Sequence, residues 1–425
     1  MQTNNSRVTA FLLTILFPLV GLVYTLSHWR ESWAKNAFWL ACIFLGAVFI
    51  YLPNGAILGI GHDGGVYALK LMEMHNSSAS LGSILALYLT EMDMMDLYFP
   101  IVGYLVSRFT DNGHVLFTVF AFVFGYFYSR NMWYVLERLP SKKIGALFIL
   151  IILFFLINPI TNINGVRYNT AVHIYVFALM PYLLEKDKSK LWWLIAVPLV
   201  HFSFLYVVIL AVAYVLITFR QNPVGRLYVG FAFVVFVVSL FINSMNLSSV
   251  NQVLADYSPE SYEERIDMYV NQDVADLRAE KESMTNWYVG ASGVIKNWSY
   301  SILLLLMYTS LKRNFKNGQY NSIYTYALLF GAFANIMSLI PSGVRFQMVS
   351  QMFMVSLILL IAMRVSSNDF FRKALSFALI PLIIPMVVDI RKLFDFYSVT
   401  AIFGNFITAF FWENNVPLIE LIKML

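Results

Sequence analysis

The chain has 425 residues, 59% of them apolar and only 12% charged, with a mean hydropathy of +0.68. A soluble domain carries about 25% charged residues, so this chain lacks the ions to cover a surface in water. The net charge of +5 is scattered through short loops rather than gathered in one basic patch, which argues against a nucleic-acid partner. The single cysteine, Cys42, sits in an apolar run and leaves no cysteine-based disulfide, zinc or iron–sulfur centre.

In chain order, the first apolar stretch, 8–26, is long enough to cross a bilayer and no small-residue cleavage pattern follows it. It reads as a retained helix. Further runs of spanning or near-spanning length lie at 37–53, 114–136, 144–160, 168–184, 191–219, 227–243, 294–311, 322–340, 345–363 and 373–388. Residues 396–412 are apolar enough for one more crossing. Repeated spans of this kind mean helices rather than a barrel. The expected fold is all-α and polytopic, one membrane domain over 1–425 with about 11–13 transmembrane helices.

The loops sort by charge. Residues 129–143 hold Arg130, Arg138, Lys142 and Lys143 against Glu137, 312–318 hold Lys312, Arg313 and Lys316, and 364–373 hold Arg364, Arg372 and Lys373 against Asp369. By contrast, 54–113 carries six acids against Lys70 and Arg108, and 244–293 nine acids against Arg265, Arg278 and Lys281. The Lys/Arg-rich loops belong in the cytoplasm and the two acidic loops outside. Residues 185–190 and 220–226 are both basic, so the 29 residues between them enter and leave from one side. Each arm then has about 14 residues, near 21 Å of helix, which is short for a crossing. The bend falls near Pro198–Ser203 and puts His201 at the deep end of a broken helical hairpin. One long tilted helix with an interior histidine is the alternative.

The outer loops carry structure of their own. Within 244–293, Tyr262, Ile266, Tyr269, Val270, Val274 and Leu277 recur at helical spacing behind a Ser-Pro start, which predicts an amphipathic helix near 259–278. Within 54–113, the stretch 81–107 mixes apolar residues with Glu91, Asp93 and Asp96, which suits a re-entrant or surface helix. The longest inner loops run to about 15 residues, too few for a cytoplasmic catalytic domain.

Four places carry candidate chemistry. The strings INGVRYNTAV (163–172) and PSGVRFQMVS (341–350) share Gly-Val-Arg-aromatic, each where an outer loop enters a helix. A helix N-terminus disfavours a cation and favours an anion, and a guanidinium grips phosphate oxygens bidentately. Arg167 and Arg345 therefore read as ligands for a diphosphate; the bland alternative is interfacial arginines reaching headgroups or an outer carboxylate. His201, in the membrane at a helix break, is either a proton acceptor for a sugar hydroxyl or a helix–helix hydrogen-bonding residue. In GIGHDGGVY (59–67), Asp63 among glycines either orients or deprotonates a sugar hydroxyl or is a solvated turn residue. No zinc-protease, nucleophile-elbow or phosphate-loop string is present, and His62 with Asp63 lacks further ligands, so neither a metal site nor a cofactor is expected.

In this order the pieces resemble the Wzy-type bacterial polysaccharide polymerases, and within them the EpsG-like group, over roughly 37–365. The resemblance rests on Gly61, Asp63 and Tyr67 after the second helix, an acidic stretch before the third, Arg167 with Ala171 opening a helix, His201-Phe202-Ser203, and Arg345-Phe346. Family members often carry an arginine shortly before the glycine-rich segment, and 51–60 has none. The resemblance implies a GT-C-like glycosyltransferase in the bacterial cytoplasmic membrane, its active site facing out, joining undecaprenyl-diphosphate-linked glycan donor and acceptor without a required metal. Arg167 and Arg345, with Tyr67 and Tyr168, would bind substrate, and Arg167, His201 and Asp63 would serve catalysis. Membrane lipids, a chain-length regulator and a flippase are the partners it implies. A lipid-linked oligosaccharide flippase and a membrane O-acyltransferase are the rival readings. The first calls for two similar halves, and the second for an active site open to cytoplasmic acyl donors.

Overall fold

The apolar runs fold as helices, and a computed structural model describes residues 2–51, 63–90, 96–140, 145–221, 224–242, 286–315, 318–340, 343–411 and 416–424. The chain opens with α1 (Gln2–Leu16), α2 (Pro18–Ser27) and α3 (Ala34–Ala47). Three helices then occupy the expected outer loop: α4 (Asp63–Asn76), α5 (Leu81–Thr90) and α6 (Tyr98–Ser107). The bundle continues with α7 (Gly113–Leu136), α8 (Phe148–Leu156), α9 (Val166–Glu185), α10 (Ala196–Val200), α11 (Phe204–Thr218) and α12 (Arg226–Ser239). After the large acidic segment come α13 (Trp287–Asn314), α14 (Asn321–Met337), α15 (Arg345–Ala362) and α16 (Phe370–Leu393). Five stretches among the described residues are long and apolar enough to cross a membrane: Gly113–Leu136, Gly145–Glu185, Trp287–Asn314, Arg345–Ala362 and Phe370–Leu393. The protein is an all-α, multi-pass membrane protein.

Two apolar runs differ from expectation. Stretch 8–26 is not one helix: it breaks at Phe17, where Pro18 starts α2, and bends so sharply that a Cβ on Gly21 would lie 2.4 Å from the Thr14 nitrogen. Stretch 396–412 holds two single turns, Thr400–Phe403 and Thr408–Phe411, because Asn405 and Thr408 exchange side-chain and backbone hydrogen bonds that cap the second turn. The amphipathic helix expected near 259–278, and Gly61, His62, Glu91 and Asp93, lie outside the described residues.

Packing follows residue size. α3 and α7 approach closely because glycines face the contact: a Cβ on Gly46 would sit 2.3 Å from the Ala121 Cβ, and one on Gly125 2.7 Å from the Cys42 Cβ. α15 is the centre of the bundle, with 83% of its apolar stretch buried, against 28% for α13 and 33% for α16. Those two outer helices are pinned at both ends, by Lys296–Asp389 at 2.9 Å and by Asn314 donating to the Asp369 carboxylate at 3.0 Å.

Residues 191–218 form the broken hairpin. A 3-10 turn, Leu191–Ile195, runs into α10; His201 is extended (φ −151°, ψ 116°), and the helix restarts at Phe204. On the way in, Lys190 and Trp193 pack against Phe177 of α9. At the tip, the His201 ring meets Tyr168, and on the way out Tyr182 donates to the Val215 carbonyl at 3.2 Å. Both feet therefore lie at the Glu185 end of α9, which a single tilted helix would not allow.

That end also gathers the basic connections. Arg138 pairs with Glu185 at 2.7 Å, Lys35 with Glu137 at 3.0 Å, Arg364 donates to the Arg138 carbonyl at 2.6 Å, and Lys186 donates to the Ser322 hydroxyl at 3.2 Å. The starts of α4, α9 and α15 lie at the opposite end, where the site forms.

Candidate functional site

Asp63, Tyr67 and Lys70 recur at i, i+4 and i+7 and so share one face of α4. α4 is tied to the segment before α9 by the Gly64 N–H, which donates to the Asn164 side-chain oxygen at 3.2 Å; a Cβ on Gly64 would meet that oxygen at 2.5 Å. Glycine there lets the two segments touch, and Arg167, the second residue of α9, crosses to α4. Its Nε donates to the Tyr67 hydroxyl at 3.1 Å and its terminal nitrogen meets the Asp96 carboxylate at 2.9 Å. Asp96, just ahead of α6, is buried, and its other oxygen accepts from the Phe202 N–H at 2.6 Å. One carboxylate thus links the start of α9 to the hairpin tip.

Beside this lies a cleft of about 60 Å³ lined by Asp63, Val66, Tyr67, Lys70, Tyr88, Phe99 and Arg167. Burial pushes the Tyr67 hydroxyl up against the opposing pull of Arg167, so it stays a proton donor at neutral pH. Burial and then the Arg167 charge hold the Lys70 ammonium below the ordinary lysine value, with Glu73 opposing. Tyr88 is pushed up to about 12, chiefly by burial.

The second cluster adjoins the first through Tyr168. Its ring is buried, edge-on to His201 at 5.3 Å, and carries the Arg345 guanidinium 5.8 Å from its centroid. The Gly-Val-Arg-aromatic echo thus marks matched helix starts. Arg167 and Arg345 open α9 and α15, and the aromatics after them, Tyr168 and Phe346, pack together at 6.3 Å and both meet Phe204. The His201 Nδ1 accepts from the Ser203 N–H at 3.3 Å and lies 2.8 Å from its hydroxyl, so the neutral ring carries its proton on Nε2.

The structure therefore brings Asp63, Tyr67 and Arg167 into one cleft and gathers Tyr168, His201 and Arg345 in an adjoining side-chain cluster. Asp96, Lys70 and Tyr88 join them without having been singled out in the sequence. The i, i+4, i+7 spacing from Asp63 was the available signal for Lys70; Asp96 had none beyond its acidic neighbourhood.

Residues 38–404 match the EpsG family, which is most of the chain. The chain belongs to the EpsG family. No curated protein and no solved structure matches it. EpsG membership, with the membrane helices, makes it a membrane protein of polysaccharide biosynthesis. The matched residues take in both clusters and the whole hairpin of this EpsG protein.

Proposed function

We propose that this EpsG-family protein joins oligosaccharide units carried on undecaprenyl diphosphate into a surface polysaccharide. The observation that carries this reading is a held guanidinium, Arg167 between Tyr67 and Asp96, at the end of the bundle opposite the basic connections. The Lys/Arg bias toward the cytoplasm turns that end outward, so the reaction takes place on the outer face of the cytoplasmic membrane. The donor's anomeric carbon loses its bond to a diphosphate oxygen and gains one to an acceptor hydroxyl oxygen. The hydroxyl proton passes to a carboxylate, and the polyprenyl diphosphate leaves.

Arg167 and Arg345 bind the diphosphate and stabilise the charge it carries away. Asp63, exposed at the cleft mouth, is the better proton acceptor. The His201 Nδ1 accepts from the Ser203 N–H, so this ring, set edge-on to Tyr168, serves to position substrate rather than as the base.

The test is a surface-glycan gel from cells in which the chromosomal gene is replaced by Arg167→Ala. The expected result is collapse of the ladder to single capped units with the protein accumulating normally. Loss of every unit would point to export instead, and an unchanged ladder would remove Arg167 from the mechanism.

A further inference from the structure

We propose that Lys70 is a further phosphate ligand, gripping the same diphosphate as Arg167 across the cleft between α4 and the start of α9. The inference rests on the reading that a lipid diphosphate is the substrate. It names the residue that gives the cleft a second cationic wall facing Arg167.

Three observations converge. First, Lys70 makes no hydrogen bond or ion pair among the described residues; its ammonium lies 5.1 Å from the Tyr88 ring centroid, and Glu73 acts on it only at longer range. Second, the ammonium and the Arg167 guanidinium line the same small space and repel each other there, a strain that a shared anion removes. Third, the size fits. One water takes about 10–15 Å³, so a cleft of about 60 Å³ has room for one phosphoryl group between Lys70 and Arg167, with the other phosphate at its mouth. The saccharide then stays at the open mouth beside Asp63, which is where an acceptor hydroxyl meets a base.

The division of labour follows from side-chain chemistry. Arg167 is fixed by Tyr67 and Asp96 and presents a charge of set position. Lys70 is a mobile point charge on a flexible stem, suited to following the second phosphate as the leaving group departs. An interfacial lysine merely reaching water would instead be exposed, whereas Lys70 is half-buried with Tyr67 and Tyr88 as walls.

The test uses the purified full chain in lipid nanodiscs, with binding measured for three short probes: farnesyl diphosphate, farnesyl monophosphate and farnesol. Lys70→Met is expected to weaken farnesyl diphosphate by about tenfold or more, the worth of one charge-assisted hydrogen bond. The monophosphate should fall less, farnesol not at all, and Lys70→Arg should restore most of the loss. If Lys70→Met binds diphosphate as wild type does while Arg167→Ala does not, Lys70 is no ligand although the diphosphate reading stands. An equal loss for farnesol would show that Lys70 acts only through packing on Tyr88, and overturn the inference. A wild-type protein that does not prefer diphosphate over farnesol would overturn the substrate reading itself.

Discussion

One Asp96 oxygen accepts from Arg167 at 2.9 Å and the other from the Phe202 N–H at 2.6 Å, so removing this carboxylate acts on two segments at once. Asp96→Ala removes the carboxylate in direct contact with a largely buried guanidinium, which costs about 1–3 kcal/mol. It also frees the tip that carries His201. Asp96→Asn keeps an acceptor for Phe202 and is expected to lose less stability, while still lowering polymer length because Arg167 loses its ion pair with the carboxylate. Thermal unfolding in detergent, read beside the glycan ladder, separates the two effects; an Asp96→Ala protein of wild-type stability and full ladder would dismiss the bridge. Histidines show the limit of reading single residues from sequence. His173 is wholly buried, its Nε2 3.0 Å from the Asn158 carbonyl and its Nδ1 3.3 Å from the Asn131 amide, so it is a core residue with both nitrogens engaged. His201 lies at a helix break instead. The two differ in backbone, which composition alone does not display.

At the scale of elements, the α3–α7 contact gives a matched pair of substitutions. Gly46→Ala places a methyl 2.3 Å from the Ala121 Cβ and 2.6 Å from the Phe117 carbonyl oxygen, and should destabilise by about 1–3 kcal/mol through overpacking. Gly230→Ala, inside α12 with nothing within 4 Å of the new methyl, should be neutral or stabilise by up to about 1 kcal/mol. Equal melting temperatures for the two variants would show that α3 and α7 are not closely packed. The same scale shows what was legible in the sequence. The hairpin at 191–218 was, because two basic flanks fix where it must start and end, and PLVHFS marks the weak point between them. The breaks inside 8–26 and 396–412 were not. Hydropathy counts apolar residues over a length, whereas Pro18 and the Asn405–Thr408 cap act locally on backbone bonding. Around the candidate site, the places of Arg167 and Arg345 at helix starts were legible. The pairing of Asp96 with Arg167 and Phe202, and the facing of Lys70 and Arg167, were not, since these contacts are made across about 70 to 100 residues of chain.

At the scale of the molecule, two ends of opposite character hold the argument together. The connections near Arg138, Glu185 and Arg364 meet at one end, and the starts of α4, α9 and α15 carry the site at the other. Function on lipid-linked glycan requires that these ends face different compartments, and the hairpin requires that both of its feet face the same one. Both requirements can be read with a membrane-impermeant thiol reagent. Cys42 is buried and desolvated, so the wild-type background should be negligible. A cysteine at Ser78, exposed in the turn between α4 and α5, should label in intact cells. Cysteines at Ser189 and Gln221, one at each foot, should label only after the membrane is opened. Labelling of Ser189 and Gln221 from opposite sides would make 191–218 a single crossing and displace His201 from the site. Labelling of all three from the cytoplasm would turn the cleft inward. The polymerase reading would then fail in favour of an enzyme using cytoplasmic donors, because an acceptor glycan already moved outward could not reach Arg167.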